Sequence, residues 1–388
     1  MRVIQVTRTR VVQLVGFESR APSNGTPTLR RPEIDDRLPG RYVVGMVWGD
    51  TIEVKFLRLA IDPNVALTLR SRNGHLSLPA SAPTGDDGVL QIQTGTAQTA
   101  DTTDDFVDVY WQSHLVGTLE VKIFRLIRVP VRFYFYFCVG SPTPTSSVDA
   151  VNMRRHGLLT ATPNRYLYLT NPFLAVNAIW RSAGIQFDHP GGVETDTELV
   201  IPGIQDDSPR LSTGNSADLG TFLQTVANAG RYQSNAVNMY FIHRIQDASS
   251  STLAITFPLN PWSDEVRAPR PCILVPLYYT VSQDQLNSTS DNGYRATYDA
   301  TATGGISLDE YIGATLAHEL GHYLGLRHPH DAVEGGGMSI LGSKRLLMHN
   351  NMDAYYLLPL VRIYTGDSFN DNGVAEARQT ARAHFPYG

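Results

Sequence analysis

The hydrophobic period of this 388-residue chain changes near residue 128, and that change sets what it can fold into. Before it, short segments alternate apolar and polar residues, as in "RYVVGMVW", "TIEVKFLRLA", "VALTLRS", "VLQIQTGTA" and "TLEVKIFRLI". Turn-forming stretches such as "APSNGTPT" and "SAPTGDDG" separate them. Alternation with period two buries one face of a strand, and repeated short strands with turn signals predict a β-sandwich or barrel. After residue 128, strands alternate with helices. "VPVRFYFYFCVG" is an apolar strand, and "TNPFLAVNAIWRSAG" a helix with Asn171 as N-cap, Pro172 in first position and Gly184 as its stop. "IQFD" follows as a strand, "SADLGTFLQTVANAG" as a second helix, then three strands in "VNMYFIHRI", "TLAITF" and "CILVPLYYTV". This order predicts an α/β sheet with parallel strands. The expected organisation is therefore an all-β, sandwich-like accessory domain over 1–127 and an α/β domain over 128–388.

Composition narrows the partners. The net charge is −5, so no global basic field points to nucleic acid or to acidic membranes. Apolar residues make up 42% and charged ones 18%, enough to bury a core. Only Cys138 and Cys272 occur, which excludes a disulfide scaffold and a multi-cysteine zinc module. The N-terminus alternates apolar and polar residues without the apolar run of a signal peptide, and no membrane-length apolar stretch follows. His75 and His114 stand alone in the β-rich half, which carries no cluster of catalytic residue types.

The chemistry is concentrated in "SLDEYIGATLAHELGHYLGLRHPHD". Ser307 and Glu310 have the spacing of a capping box at a helix start. At about 100° per residue, His322 lies about 40° from His318, and Glu319 about 100° from it. Ile312, Leu316, Leu320, Tyr323 and Leu324 gather on the other side of the helix. Two imidazoles one turn apart, with a carboxylate beside them, are what a catalytic zinc ion needs. In a continued helix His328 would be carried out of reach, so the chain must turn sharply, and Gly325 can take the positive φ of a helix stop. The expected ligands are His318, His322 and His328, with Glu319 as general base. His330 competes for the third position, and a histidine-rich structural helix without metal is the alternative.

Those residues resemble the HExxHxxGxxH motif of the metzincin clan of zinc endopeptidases, and "HELGHYLGLRHP" is closest to the serralysin branch, in which proline also follows the third histidine. The resemblance covers about 128–388. It implies a mixed five-stranded sheet, an active-site helix, a Met-turn in "RLLMHNN" with Met348 beneath the zinc, and a C-terminal helix in "GVAEARQTARAHF". Met352 and Met338 are weaker choices for the Met-turn. The family's tyrosine two residues past that methionine is Asn350 here, with Tyr355 and Tyr356 as other tyrosines nearby. Serralysin calcium repeats are missing, and "GDSFNDNGV" does not match a calcium loop, so calcium is not indicated. The resemblance further implies that "TLAITF" is an antiparallel edge strand that binds extended peptide. It places one strand, "VNMYFIHRI", between those carrying Cys138 and Cys272. Two inter-strand steps separate the cysteines by roughly 10 Å, beyond the ~7 Å a disulfide tolerates, so two free thiols are expected.

The implied function is hydrolysis of protein or peptide substrates by a metal-activated water, with one Zn2+ as cofactor, no nucleic acid and no membrane span. Two alternatives remain: a binding or adhesion protein whose zinc site does not turn over, and a zinc hydrolase of a non-peptide bond. Export by a route not visible at the start of the chain is expected, with a cytoplasmic location as the alternative. Nothing in the sequence fixes the oligomeric state.

Overall fold

A computed structural model describes residues 13–19, 34, 40–85, 88–96, 100–135, 167–188, 216–242, 254–259, 270–276, 308–326, 347 and 373–385. The described residues form a mixed α/β structure of three sheets and four helices. The chain divides into two compact units. One is Met1–Leu126 with Arg181–Gly184, and the other is Ile127–Trp180 with Ile185–Gly388.

The first unit carries β1 (Val15–Glu18), β2 (Tyr42–Val47), β3 (Thr51–Arg58), β4 (Thr68–Ser71), β5 (Leu76–Ser77), β6 (Gly88–Thr94), β7 (Thr102–Trp111) and β8 (His114–Phe124). They form two four-stranded sheets, ordered β1-β3-β6-β5 and β2-β8-β7-β4. All pairings are antiparallel except β2 with β8. Inward residues of both sheets share one core, including Phe17, Val54, Phe56 and Ile92 from the first and Met46, Val107, Leu119 and Val121 from the second. Alternate residues Leu90, Ile92 and Thr94 of β6 are buried, as period-two patterning requires.

β7 was not anticipated, because "TTDDFVDVYW" is rich in aspartate. Asp105 is fully buried on this strand. Its carboxylate accepts hydrogen bonds from the Ser71 hydroxyl (2.6 Å) and from the amides of Asn73 (2.8 Å), His75 (2.7 Å) and Phe106 (2.6 Å). Burial by itself would raise the Asp105 carboxyl, but these donors outweigh it and hold the group below the usual carboxylate range. The "TLEVKIFRLI" segment also differs from expectation. It ends β8 at Phe124, and a new strand starts at Ile127.

The second unit contains β9 (Ile127–Phe135), α1 (Leu167–Arg181), β10 (Ile185–Asp188), α2 (Ser216–Asn228), β11 (Val237–Ile242), β12 (Ile255–Phe257), β13 (Cys272–Pro276), α3 (Leu308–Tyr323) and α4 (Gly373–His384). Its sheet has the order β10-β9-β11-β13-β12. The first four strands are mutually parallel, and β12 pairs antiparallel with β13 at the edge. β11 lies between β9 and β13, the order expected from the resemblance. Cys272 is a buried free thiol on β13, while Cys138 lies outside the described residues.

Helices cover the sheet on both faces. Leu219, Phe222, Leu223 and Val226 of α2 pack with Tyr134, Tyr240, Phe257, Cys272 and Leu274. Phe173 of α1 meets Phe133 at 4.9 Å between ring centroids. Asn177 fixes α1 to β10 by accepting from the Phe187 amide (2.8 Å) and donating to the Phe187 carbonyl (3.0 Å). α1 begins at Leu167, earlier than the Asn171 cap read from the sequence, and Pro172 lies inside it. Proline lacks the N–H that would bond the Tyr168 carbonyl, so the first turn continues past it with one hydrogen bond fewer. Gly184, with φ +68°, ends the helix as expected.

Candidate metal and catalytic site

α3 starts one residue past Ser307 and carries His318, Glu319 and His322. Its apolar side is sunk into the unit: Ala314, Leu316, Ala317, Leu320 and Leu324 are fully buried. The motif side is buried too. His318 is 5% exposed and Glu319 7%, and over 313–326 His322 is the most exposed residue. A polar face can be buried when its polar atoms are paired, and each of these three side chains is.

The His318 and His322 rings lie 4.7 Å apart, edge to face at 88°. Nδ1 of His318 is 2.6 Å from the Leu347 carbonyl, and Nδ1 of His322 is 2.8 Å from the Leu326 carbonyl. A carbonyl oxygen only accepts, so each Nδ1 carries the proton and donates. Nε2 is then the nitrogen each neutral ring has to offer a metal, and the carbonyl fixes the ring's orientation. Two imidazoles presented in this way fit Zn2+.

The helix stop that gives His322 its partner depends on Gly325. The Leu326 amide donates to the Gly321 carbonyl and the Gly325 amide to the His322 carbonyl, both at 2.9 Å. That pair of bonds is a Schellman stop, which needs the left-handed φ of +94° found at Gly325. α4 backs the turn: a Cβ at Gly325 would lie 3.6 Å from both Glu376 Oε1 and Thr380 Oγ1. His328 and His330 lie outside the described residues, as do Met338, Met348, Asn350, Met352, Tyr355 and Tyr356. Among the described residues no group of three or more His, Cys, Asp or Glu gathers into a metal site, and the expected set needs His328 for its third member. Leu347, next to Met348, is described, and its carbonyl holds His318 from 29 positions along the chain.

Glu319 stands between the histidines in sequence and beside β12 in space. Thr256 Oγ1 lies 2.6 Å from Glu319 Oε2 and 3.2 Å from the Glu319 carbonyl oxygen. Burial pushes the Glu319 carboxyl up to about 7, against the lowering effect of the Thr256 bond. A carboxyl tuned near neutrality can both accept and release a proton. Two further contacts hold the helix. Trp180 Nε1–H donates to the Ala317 carbonyl at 3.0 Å, one residue before His318, and the Leu259 amide donates to the Tyr323 carbonyl at 3.2 Å.

Sequence reasoning did not find Thr256, Trp180 or the Leu347 carbonyl. Nothing in their local sequence marks them, apart from the position of Thr256 inside "TLAITF". His75 and His114 belong to the first unit, where the His75 ring packs edge-on against Trp48 at 5.6 Å. Among the described residues no helix is long and apolar enough to cross a membrane. No family model and no curated protein matches the chain.

Proposed function

We propose that the chain is a zinc-dependent endopeptidase of the metzincin kind, with His318, His322 and His328 holding one ion and Glu319 as general base. The observation that carries this reading is the pair His318 and His322, 4.7 Å apart and each tied through Nδ1 to a backbone carbonyl. The parallel strands, antiparallel edge strand, motif helix and closing helix of the second unit agree with the metzincin order. When bound, Zn2+ would polarise a scissile carbonyl and acidify a water. Glu319 takes the proton from that water and returns it to the leaving amine nitrogen. β12 offers the binding surface: among the described strands only β13 pairs with it, and its other edge can hydrogen-bond an extended peptide. Main-chain pairing of this kind tolerates many side chains and aligns the peptide bond beside Glu319. The all-β unit contributes targeting rather than chemistry.

The test is the full chain incubated with a proteome-derived peptide library, with and without a zinc chelator, alongside Glu319→Gln. One zinc per chain, chelator-sensitive cleavage, and a Gln variant that keeps zinc but loses hydrolysis are expected. A chain that binds no zinc, or a Gln variant with undiminished turnover, refutes the reading. Hydrolysis confined to non-peptide substrates would move the chain to another class of zinc hydrolase.

A further inference from the structure

The edge strand does more than border the site. Thr256, at its centre, pairs with Ile273 of β13 and sends its hydroxyl to the Glu319 carboxylate at 2.6 Å. We infer that Thr256 is a positioning residue for Glu319, and that it makes the seat of the base part of the strand on which a peptide would lie. This rests on the peptidase reading of the site.

The argument is geometric. A threonine hydroxyl has one proton, and the short contact directs it to Oε2. Oε1 is then the oxygen that would take the proton from a water. Glutamate has three side-chain torsions, and among the described residues Thr256 is the group that hydrogen-bonds its carboxylate. The strand that supplies the hydroxyl is itself fixed on two sides. Phe257 is buried in the core beside α2, and Leu259, two residues on, bonds the end of α3. A peptide added to the edge of β12 that no described strand pairs would extend that fixed frame. The scissile bond and the base would then be held by one three-residue strand, the kind of shared placement that lowers the cost of orientation.

Thr256→Val keeps the shape and removes the donor, Thr256→Ser restores it, and Thr256→Ala only deletes atoms should valine disturb the strand. In the full zinc-loaded chain, on a peptide from the library, kcat should fall about 10–100-fold in Val and Ala, as for a lost hydrogen bond to a charged group. KM and zinc content should stay within about twofold, and Ser should recover kcat to within about threefold. A second readout needs no activity: structures of the metal-free proteins should show the Glu319 carboxylate displaced in Val and Ala and retained in Ser. An unchanged kcat in Val and Ala, a Ser variant that rescues nothing, or an undisplaced carboxylate overturns the inference. If the wild type cuts no peptide, the peptidase reading fails by that result, and the metal-free structures still decide whether Thr256 seats Glu319.

Discussion

Replacing Gly313 by alanine should destabilise the second unit, although alanine is the better helix former. Gly313 lies inside α3 where α1 crosses it. A Cβ there would sit 2.4 Å from the Pro172 carbonyl oxygen and 2.6 Å from the Ala175 Cβ, against an ordinary contact of 3.4 Å or more. The obstacle is backbone, so α1 must retreat by about 1 Å or α3 must bend. Glycine-to-alanine in a helix interior is otherwise worth about 1 kcal/mol in favour of the mutant. Overpacking against a rigid neighbour costs about 1–3 kcal/mol, and a backbone clash on this scale belongs at the upper end. The net loss is about 1–2 kcal/mol. For a unit of this size that lowers the midpoint of thermal unfolding by roughly 2–8 °C. Gly220 in α2 is the internal control, because a Cβ there meets nothing within 4 Å. Gly220→Ala should therefore raise the midpoint by a few degrees through propensity alone. The assay is thermal unfolding of both variants by circular dichroism and calorimetry, with zinc affinity measured in parallel. α1 also holds α3 through Trp180 and the Ala317 carbonyl, beside His318, so Gly313→Ala should weaken zinc binding while Gly220→Ala leaves it unchanged. A Gly313→Ala protein that gains stability as Gly220→Ala does would refute the close approach of the two helices.

Two further outcomes follow from buried groups. Asp105→Asn turns one acceptor oxygen into a donor among four donors, and should cost the first unit about 2–4 kcal/mol in urea unfolding at neutral pH. Because the Asp105 carboxyl is held below its unfolded value, its contribution is present above the unfolded pKa and lost as pH falls through the folded one. The difference between wild type and Asn should accordingly shrink in acid, and a difference independent of pH would count against the carboxylate. Cys272 is fully buried and its thiol is pushed up by burial. In a Cys138→Ser protein it should stay unreactive toward a disulfide reagent until the chain unfolds, and rapid native labelling would mean that β13 is misplaced.

The fold was legible where one pattern ran long enough to be read twice, by period and by its end signals. α3 falls where the sequence puts it, since it combines an apolar face with a capped start and a glycine stop; β11 begins where the strand was read, and α4 lies where the resemblance put the closing helix. Shorter elements were less exact. The strand read over 65–71 is β4 from Thr68, and that read over 252–257 is β12 from Ile255. β7 was invisible because its inward aspartate, Asp105, is made tolerable by Ser71, Asn73 and His75, which lie 34, 32 and 30 residues away. Local patterning counts such a residue as surface, and only the folded neighbours show otherwise.

The site divides in the same way. His318, Glu319 and His322 share one helix, so their mutual placement follows from spacing within a single rigid element. What turns that spacing into a site is supplied from elsewhere: the Leu347 carbonyl from 29 residues on and the Thr256 hydroxyl from 63 residues back. Those partners exist because β12 folds back antiparallel on β13 and because the chain beyond α3 returns to His318. A motif-bearing helix with every residue of "HELGH" intact, but without that return, would keep His322 on the Leu326 carbonyl of its own stop and leave the His318 ring unanchored beside an ordinary carboxylate. The Leu347 and Leu326 carbonyls fix the rings, burial brings the carboxyl near neutral and β12 seats it, and this is why the motif and the topology have to be read together to infer chemistry.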